Sequence, residues 1–319
     1  MSRKYSARLI WMSVLAAGFI FSACHKSGNG SHPTDRTNTL ALLQDSLQTI
    51  AGEYPAEIGV AVLTDCGDTI LVNNENKYPL MSVFKLHQAI ALCAYLEHKQ
   101  TSIDSVVTIP RKELNPHTWS PMLKDYTGSE ITIPIGDLLR YTLMQSDNNA
   151  SNYMFSTLQS VADADTFTTT IIPRETFRLA VTEAEMWANH NLCYKNTSSP
   201  IGAALLINHL FTDSIISQTN RDFICTALLE CKTGTDRIAA PLSALNGVTV
   251  AHKTGSGFRN ADGVLSAHND VAFVQLPGNH AYTLAVLVKD FKGSETDAAK
   301  AIARISATVY QTISNLYKP

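Results

Sequence analysis

The amino-acid sequence predicts an α/β (α+β) fold in which one discontinuous domain encloses a helical insertion. Two apolar, strand-like runs come early, at 58–63 and 69–72, and three β-rich runs come late, at 248–254, 264–276 and 282–288. A long middle segment of mainly helical pattern separates them, and further helices are predicted near both ends. Strands from both ends of the chain are therefore expected to share one domain, which makes the helical segment an insertion.

The N-terminal residues 1–24 have the pattern of a secretion signal. A basic start that includes Arg3 and Lys4 precedes a short apolar run over 9–21, which is too short for a stable transmembrane span. Cys24 ends a Ser-Ala-Cys sequence that resembles a bacterial lipobox, so it is a candidate lipid anchor. Ordinary signal cleavage with an incidental cysteine is the alternative. Either way, we expect the protein to leave the cytoplasm for the periplasm.

The next residues, 25–36, have the polar, small-residue composition of a linker. An amphipathic helix is predicted over 39–51, where leucine and isoleucine recur at helical spacing. The predicted domains are an α/β domain at 37–78 and 232–319, and an all-α domain at 79–231.

Composition is that of an ordinary globular protein. The chain has 319 residues, 45% of them hydrophobic and 17% charged, and its net charge of -3 gives no sign of a nucleic-acid surface. Five cysteines besides Cys24 show neither a C-x-x-C nor a zinc spacing, so we expect free thiols. The histidines form no i,i+4 pair or Cys/His cluster, and neither a metal nor a cofactor is predicted.

A serine and a lysine three positions apart lie in the apolar, helix-forming run 80–90. On a helix, residues i and i+3 share a face, so Ser82 and Lys85 would present a hydroxyl and an amine to the same point. A chance pair on a surface helix is the alternative. However, the run is apolar on nearly every side, and a buried lysine is costly unless its charge is paired or used. We therefore predict a nucleophile beside a base.

Two further triplets follow in an order that chance does not readily explain. Ser146–Asn148 (Ser-Asp-Asn) comes after a predicted helix over 135–143, and Lys253–Gly255 (Lys-Thr-Gly) ends an apolar strand. Together with Ser-x-x-Lys, they form a known signature of acyl-transferring serine enzymes. Acyl transfer needs an activated hydroxyl, a proton donor for the leaving group and fixed dipoles for the developing oxyanion.

With these motifs, the chain resembles the class A serine β-lactamases from about Thr39 to the C-terminus. It is most similar to the cephalosporinase branch found in Gram-negative anaerobes. The stretches that carry this similarity are Met81–Lys85 (Met-Ser-Val-Phe-Lys), Ser146–Asn149 (Ser-Asp-Asn-Asn) and Lys253–Gly257 (Lys-Thr-Gly-Ser-Gly). The resemblance implies a five-stranded antiparallel sheet flanked by helices beside an all-α domain. It also implies a monomer that acts on small β-lactams and confers resistance to them.

The resemblance also implies catalytic roles. Ser82 would be the acylated nucleophile, and Lys85 would help to activate it. Ser146 would pass a proton to the β-lactam nitrogen as the ring opens. The backbone N–H groups of Ser82 and Ser256 would form the oxyanion hole, and loss of one such donor costs about 10²–10³ in rate.

Five residues would bind substrate on the same basis. Asn148 would hold the substrate's side-chain amide, while Lys253 and Thr254 would bind its carboxylate. Arg237 lies in a segment that supplies an additional carboxylate-binding arginine in several family members; a surface arginine after a turn is the alternative. Trp119 would pack against substrate at the mouth of the cleft; a buried structural tryptophan is the alternative.

The deacylating base is expected in the family's omega loop, at about 178–200. The Glu-x-x-hydrophobic spacing selects Glu183, with Glu185 as the competitor. Ala184 replaces a proline whose peptide bond is usually cis, and Trp187 replaces an asparagine that usually helps to hold the hydrolytic water. These differences leave the path of the loop open.

Two more positions bear on how this loop is held. Val181 and Asn196 stand where the family usually has an Arg–Asp pair that ties the loop. Asn152, which follows the motif serine, is expected to brace the loop instead.

The leading hypothesis is a β-lactamase that hydrolyses cephalosporins in preference to penicillins through an acyl-enzyme. A DD-peptidase or penicillin-binding protein shares the three motifs, and a penicillin-sensing module would acylate without turnover. Glu183 argues against both, because neither alternative requires a deacylating base.

Overall fold

The protein is described by a computed structural model that covers residues 33–318. The predicted signal segment, Cys24 and the predicted linker up to residue 32 lie outside these residues. The helices are α1 Pro33–Gly52, α2 Phe84–His98, α3 Met122–Asp125, α4 Ile135–Met144, α5 Asn148–Tyr153, α6 Val161–Thr168, α7 Glu183–Ala188, α8 Pro200–Thr212, α9 Gln218–Leu229 and α10 Glu295–Leu316. The strands are β1 Glu57–Thr64, β2 Thr69–Val72, β3 Tyr78–Pro79, β4 Val106–Pro110, β5 Glu130–Pro134, β6 Phe177–Arg178, β7 Thr197–Ser198, β8 Thr249–Ser256, β9 Leu265–Gln275 and β10 Ala281–Phe291.

The first helix begins earlier than the sequence predicted. α1 starts at Pro33, so residues 33–38 are helical. Of these, 33–36 were predicted to belong to the linker, and 37–38 precede the predicted start of the helix at 39. Arg36 in the first turn pairs with Asp68 in the turn between β1 and β2. This contact joins positions far apart in the chain, whereas the apolar periodicity used for the prediction begins only at Leu40. The linker boundary and the helix start are corrected accordingly.

The central sheet has five antiparallel strands in the order β2-β1-β10-β9-β8. β1 lies beside β10 with Ala61 opposite Ala285, and β8 lies beside β9 with Lys253 opposite Val271. The early and late strands therefore meet in one sheet, which confirms the predicted fold class. β8 is an edge strand, so one side of its Lys-Thr-Gly segment has no neighbouring strand of the sheet.

Hydrophobic cores cover both faces of this sheet. Along β1, Val60 and Val62 belong to a core shared with α1 and α10, while Ala61 and Leu63 belong to a core shared with the helical segment. Successive side chains of a strand point to opposite faces, so a strand covered on both faces must be apolar throughout. This explains why the strand sequences show no alternation of polar and apolar residues.

The helical segment is built around α2, which is buried along most of its length, as its apolar pattern predicted. The segment also contains the antiparallel pair β4–β5, in which Thr108 lies opposite Thr132. The sequence did not predict these short strands, because their alternating pattern is brief and bounded by prolines. Within residues 33–318, no helix is both long and apolar enough to cross a membrane.

Candidate active site

Ser82 lies in a tight turn that precedes α2. The turn is a 3₁₀ helix over Met81–Val83, and Met81 has a left-handed backbone with a φ of 46°. Asn269 of β9 holds this turn, since its Nδ2 donates to the carbonyl oxygens of Pro79 (2.7 Å) and Leu80 (3.1 Å). A strained residue persists only where its surroundings hold it. The sheet therefore fixes the position of the serine hydroxyl.

Gly255 allows β8 to pass directly beside this turn. A Cβ added at this position would lie 2.4 Å from the carbonyl oxygen of Leu80 and 3.2 Å from the backbone nitrogen of Ser82. Backbone atoms cannot move aside as a flexible side chain can. Glycine is therefore required at this position of the Lys-Thr-Gly motif, because the backbone of β8 and the backbone of the turn approach each other closely. This approach brings Ser256 next to Ser82.

The hydroxyl of Ser82 and the ammonium group of Lys85 converge on one carboxylate oxygen. Ser82 Oγ donates to Glu183 Oε1 at 2.8 Å, and Lys85 Nζ lies 3.0 Å from the same atom. Lys85 is fully buried, and burial lowers the pKa of its ammonium, while the Glu183 carboxylate opposes that shift. The predicted pair of a nucleophile and an amine is thus joined through Glu183.

The two glutamates that competed for the deacylating role occupy different environments. Glu183 is 4% exposed and faces Ser82. Glu185 is exposed and forms a capping box with Thr182, accepting from the Thr182 backbone nitrogen at 2.8 Å and its hydroxyl at 2.9 Å. Glu185 therefore stabilises the start of α7, and the structure places Glu183 at the serine.

The path of the loop that carries Glu183 is set by two asparagines. Asn196 is fully buried; its Oδ1 accepts from the backbone nitrogens of Ala180 (2.8 Å) and Val181 (3.0 Å), and its Nδ2 donates to the Val181 carbonyl (2.8 Å). Asn152 Oδ1 accepts from the backbone nitrogen of Ala184 at 3.0 Å, which confirms the predicted brace. All peptide bonds of the described residues are trans, that before Ala184 included. The sequence predicted that this loop lacks the Arg–Asp salt bridge usual in the family. The side-chain amide of Asn196 holds the loop instead.

Ser146 lies between the two motif lysines. Its Oγ is 3.4 Å from Lys85 Nζ and 3.1 Å from Lys253 Nζ, and its carbonyl accepts from Lys85 at 2.8 Å. Ser146 has a left-handed φ of 58°, and the next residue, Asp147, caps α5 by accepting from Ala150 at 2.9 Å. The Ser-Asp-Asn motif therefore combines a turn, a helix cap and a hydroxyl placed between two cations.

The opposite side of the site is formed by β8 and the segment before it. Lys253 is fully buried, and its Nζ also donates to the Thr254 carbonyl at 3.0 Å; burial lowers its pKa to about 7. Arg237 is 6% exposed and donates to Ser256 Oγ at 2.6 Å and to the Asn269 carbonyl at 2.7 Å. Arg237 is therefore not a surface arginine, and that alternative is wrong.

Asn148 and Trp119 lie on the helical side. Asn148 Oδ1 accepts from Lys85 Nζ at 2.6 Å, and its Nδ2 donates to Thr118 Oγ1 at 2.8 Å. Trp119 is 55% exposed, and its Nε1 donates to the Gln145 carbonyl at 2.8 Å. The alternative of a buried structural tryptophan is therefore wrong, and the ring is a fixed, exposed surface.

These residues surround one cavity of about 300 Å³. Its lining residues are Met81, Ser82, Trp119, Ser146, Asn148, Glu183, Trp187, Thr233, Arg237, Thr254, Ser256 and Phe258. The structure thus brings together all ten predicted site residues, because Lys85 and Lys253 lie buried directly behind the lining. Within residues 33–318, no group of three or more His, Cys, Asp or Glu side chains is arranged to hold a metal ion.

Several lining residues were not predicted as site residues. Thr233 Oγ1 lies 2.6 Å from Thr254 Oγ1, and its place in the segment before Arg237 was the only available signal. Phe258 stacks on His190 with ring centroids 3.9 Å apart, and His190 in turn meets Trp187 at 6.3 Å. We call Trp187, His190 and Phe258 the aromatic wall. It joins the Glu183 loop to the end of β8, a contact that local sequence patterns do not reveal.

Comparisons with known proteins identify the family of the chain. The family described as "Beta-lactamase enzyme family" matches residues 42–313. A β-lactamase of Phocaeicola vulgatus is 54% identical over 92% of this chain and 91% of its own length. The extended-spectrum β-lactamase PER-1 of Pseudomonas aeruginosa is 31% identical over 85% of this chain and 87% of its own.

Solved structures give the same result for the fold. The TLA-3 extended-spectrum β-lactamase superposes with a TM-score of 0.83 at 28% identity, covering 86% of this chain and 99% of that one. A class A β-lactamase from Bacteroides cellulosilyticus superposes with a TM-score of 0.81 at 29% identity, covering 87% and 99%. The chain therefore belongs to the class A serine β-lactamases, the enzymes that hydrolyse β-lactam antibiotics.

Proposed function

We propose that this β-lactamase acts through an acyl-enzyme at Ser82 and favours cephalosporins over penicillins. The observation that carries the mechanism is the convergence of the Ser82 hydroxyl and the Lys85 ammonium on Glu183 Oε1. The acylation side of the cavity is defined as Ser82, Lys85, Ser146 and Glu183. The carboxylate side is defined as Thr233, Arg237, Lys253 and Thr254.

In acylation, Ser82 Oγ attacks the β-lactam carbonyl carbon while Glu183 accepts the hydroxyl proton across the 2.8 Å hydrogen bond. The C–N bond of the ring then breaks, and the nitrogen takes up a proton from Ser146. Lys85 contacts both Glu183 and Ser146, so its ammonium can replace the proton that Ser146 gives away. The Lys85 amine then takes from Glu183 the proton that came from Ser82, which leaves Glu183 a carboxylate for deacylation. The product is a serine ester with the opened ring still attached.

The oxyanion formed during this attack needs fixed donors. Ser82 lies at the start of a helical turn, where backbone N–H groups lack intrahelical partners. Gly255 brings the end of β8 against the same turn, so the Ser256 N–H is the second proposed donor.

The carboxylate of the substrate is proposed to bind on the carboxylate side. Lys253 and Arg237 supply positive charge there, and Thr254 supplies a hydroxyl that lines the cavity. Asn148 is proposed to hold the substrate's side-chain amide, because its Nδ2 carries two hydrogens and the contact with Thr118 uses one.

Deacylation is proposed to use Glu183 as general base for water. Its carboxylate is almost fully enclosed, within hydrogen-bond distance of the serine that bears the ester. Trp187 lines the cavity where the family usually has an asparagine that helps to hold the water, so Lys85 and Ser82 are proposed to help Glu183 hold it instead.

The preference for cephalosporins rests on the resemblance of the motif residues to the cephalosporinase branch. Two exposed tryptophans, Trp119 and Trp187, line the same cavity and offer flat apolar surfaces to a large acyl substituent.

Secretion to the periplasm, with Cys24 as lipid anchor, is proposed from the N-terminal sequence alone. Membrane fractionation and mass analysis of the N-terminal peptide test that part, and a soluble product beginning at or after His25 would reject the anchor.

Intact-mass spectrometry with a cephalosporin tests the mechanism. The native enzyme should show a short-lived adduct and complete turnover, and Ser82→Ala should show neither. Adduct formation by Ser82→Ala would reject the nucleophile. A native enzyme that only accumulates adduct would support the DD-peptidase or sensor hypothesis. A kcat/KM for cephalosporins below that for penicillins would reject the preference alone.

A further inference from the structure

The second half of the Glu183 loop contacts one end of the central sheet. After α7 the chain forms a 3₁₀ helix over His190–Lys195, which we call the sheet-contact segment. Inside it, Cys193 is 1% exposed and belongs to the core of the helical segment. The hydroxyl of Tyr194 donates to Asp290 Oδ1 of β10 at 2.5 Å, across 96 positions of the chain. Burial and this carboxylate raise the pKa of the Tyr194 hydroxyl, so it remains a donor at neutral pH.

Ser266 of β9 marks the end of the sheet where this contact is made. It lies beside Asp290, because its two neighbours pair with the residues before and after Asp290. It also fixes Phe258, which follows β8: the Phe258 backbone nitrogen donates to Ser266 Oγ at 3.0 Å, and the Ser266 backbone nitrogen donates to the Phe258 carbonyl at 2.9 Å. His190 stacks on Phe258 with ring centroids 3.9 Å apart. The sheet-contact segment therefore meets both β10 and the chain that leaves β8, close to Ser256.

Asp290 has an unusual backbone for a residue inside a strand. Its φ is 54°, in the left-handed region, although β10 keeps its register with β9 on both sides of it. A residue other than glycine in this region persists only where its surroundings hold it, and such residues cluster at functional sites. The carboxylate of Asp290 accepts the hydrogen bond from Tyr194. This backbone therefore presents the carboxylate to the loop that carries Glu183.

The sheet-contact segment and Glu183 belong to one closed loop. Asn196, directly after the segment, accepts hydrogen bonds from the backbone nitrogens of Ala180 and Val181, which precede Glu183. α7, a single helix of six residues, begins at Glu183 and leads toward the segment. A shift of the segment on the sheet would move α7 and the Glu183 carboxylate with it. Misplacement of a catalytic group by about 1 Å can cost about 10²-fold in rate.

The two steps of the reaction depend on this placement to different degrees. In acylation, the Lys85 amine can take the Ser82 proton if Glu183 is displaced, because burial lowers the pKa of Lys85. In deacylation, Glu183 must hold a water molecule against the ester carbon as well as accept its proton. A displaced Glu183 should therefore slow deacylation more than acylation.

We propose that Tyr194 and Asp290 are positioning residues for deacylation, and that their hydrogen bond holds the sheet-contact segment on the sheet so that Glu183 stays in place at the Ser82 ester. They act through Glu183 and do not touch the substrate. The inference rests on the proposed role of Glu183 as the general base of deacylation.

The first test compares two tyrosines that each donate to an aspartate. Tyr194→Phe removes the hydroxyl and should slow deacylation of a cephalosporin about tenfold, with a much smaller effect on acylation. Tyr317→Phe is the matched control, because the Tyr317 hydroxyl donates to Asp65 at the opposite end of β10, where Asp65 meets Ala281. It should leave both steps unchanged. Stopped-flow kinetics and time-resolved intact-mass spectrometry measure the two rates. Equal slowing of acylation and deacylation by Tyr194→Phe, or equal effects of the two variants, would overturn the proposal.

The second test changes Asp290 in two ways that both suit its backbone. Glycine and asparagine tolerate the left-handed region, but only asparagine keeps a side-chain oxygen that can accept from Tyr194. Asp290→Asn should therefore deacylate at nearly the native rate, and Asp290→Gly should be slowed about as much as Tyr194→Phe. The double variant Tyr194→Phe, Asp290→Gly should be no slower than either single variant, since all three lack the same hydrogen bond. Additive effects, or an Asp290→Asn variant as slow as Asp290→Gly, would overturn the role of this bond.

The native enzyme, measured in the same experiment, separates this inference from the proposed function. A native enzyme that never deacylates would overturn both. Normal native deacylation with no effect of Tyr194→Phe would overturn the positioning role alone.

Discussion

The two buried lysines of the site, Lys85 and Lys253, have the same burial but different partners. Lys85 contacts the Glu183 carboxylate at 3.0 Å, whereas the contacts of Lys253 are to a hydroxyl and a carbonyl, Ser146 Oγ and Thr254 O. Burial lowers the pKa of both ammonium groups, and for Lys253 the value is about 7. The acylation side thus contains the negative charge that pairs with its lysine, namely Glu183. On the carboxylate side, the negative charge that pairs with Lys253 would come from the substrate carboxylate.

This difference shows how one cavity can separate chemistry from recognition. A charge that is paired inside the protein is oriented before the substrate arrives. A charge that is only partly compensated gains most when an anion binds. Changes on the acylation side should therefore affect turnover, and changes on the carboxylate side should affect capture of substrate.

The largest expected effect is that of removing the base from the acylation side. Glu183→Gln keeps the shape of the side chain but cannot accept a proton, so cephalosporin turnover should fall by about 10²–10⁴-fold. The acyl-enzyme should accumulate and be visible by intact-mass spectrometry, because burial lowers the pKa of Lys85 and, without the Glu183 carboxylate beside it, the Lys85 amine can take the Ser82 proton instead. Glu185→Gln is the matched control and should retain near-native turnover, since Glu185 only caps α7. Similar turnover in both variants would show that Glu183 is misassigned.

The next largest effect is expected from Arg237 on the carboxylate side. Arg237→Ala removes a buried cation and should reduce kcat/KM by the equivalent of about 1.5–3 kcal/mol, as for a lost charge-assisted hydrogen bond. The loss should be much smaller with a substrate whose carboxylate is esterified. An unchanged kcat/KM for the free acid would remove Arg237 from the carboxylate side.

The variant Asn196→Ala tests whether the acylation side depends on the loop that carries Glu183. Asn196→Ala leaves the backbone nitrogens of Ala180 and Val181 without their acceptor, which should lower the free energy of unfolding by about 1–3 kcal/mol. Chemical denaturation measures that change, and burst kinetics should show deacylation slowed more than acylation. Asn191→Ala, at an exposed position of the same loop, should change stability by less than about 0.5 kcal/mol. Equal effects of the two variants would contradict the conclusion that the Asn196 side chain holds this loop.

The smallest effect is a pH dependence that belongs to the carboxylate side alone. Because the pKa of Lys253 is lowered to about 7, its ammonium is present below that pH and is lost above it. kcat/KM should therefore fall about tenfold between its plateau below pH 7 and pH 8, while kcat changes less because bound carboxylate stabilises the ammonium. An esterified substrate should not show this step. A step in kcat/KM that is the same for both substrates would assign it to another group.

Much of the site was predictable because its residues lie in short motifs. Ser82 and Lys85 are separated by one helical turn, and Lys253, Thr254 and Ser256 lie on one strand. Short spacing constrains geometry directly, so sequence alone indicated which groups would meet. The sheet was predictable for a similar reason, since strands buried on both faces are continuously apolar.

The remaining contacts join distant parts of the chain. Asn269 holds the Ser82 turn across 190 positions, and Asn196 ties the Glu183 loop across 15. A single side-chain amide carries no periodic pattern, so neither role has a local signature. The early start of α1 has the same origin, because Arg36 meets Asp68 only after folding.

The aromatic wall has a consequence for how resistance can change under selection. Trp187 and His190 are exposed; Trp187 lines the cavity, and His190 contacts Trp187 from outside the lining. Exposed contacts tolerate substitution at little cost in stability, unlike the close approach at Gly255. Substitutions in the aromatic wall should therefore cost little stability. Under selection by a new antibiotic, resistant isolates should vary more often at these residues than at the three motifs.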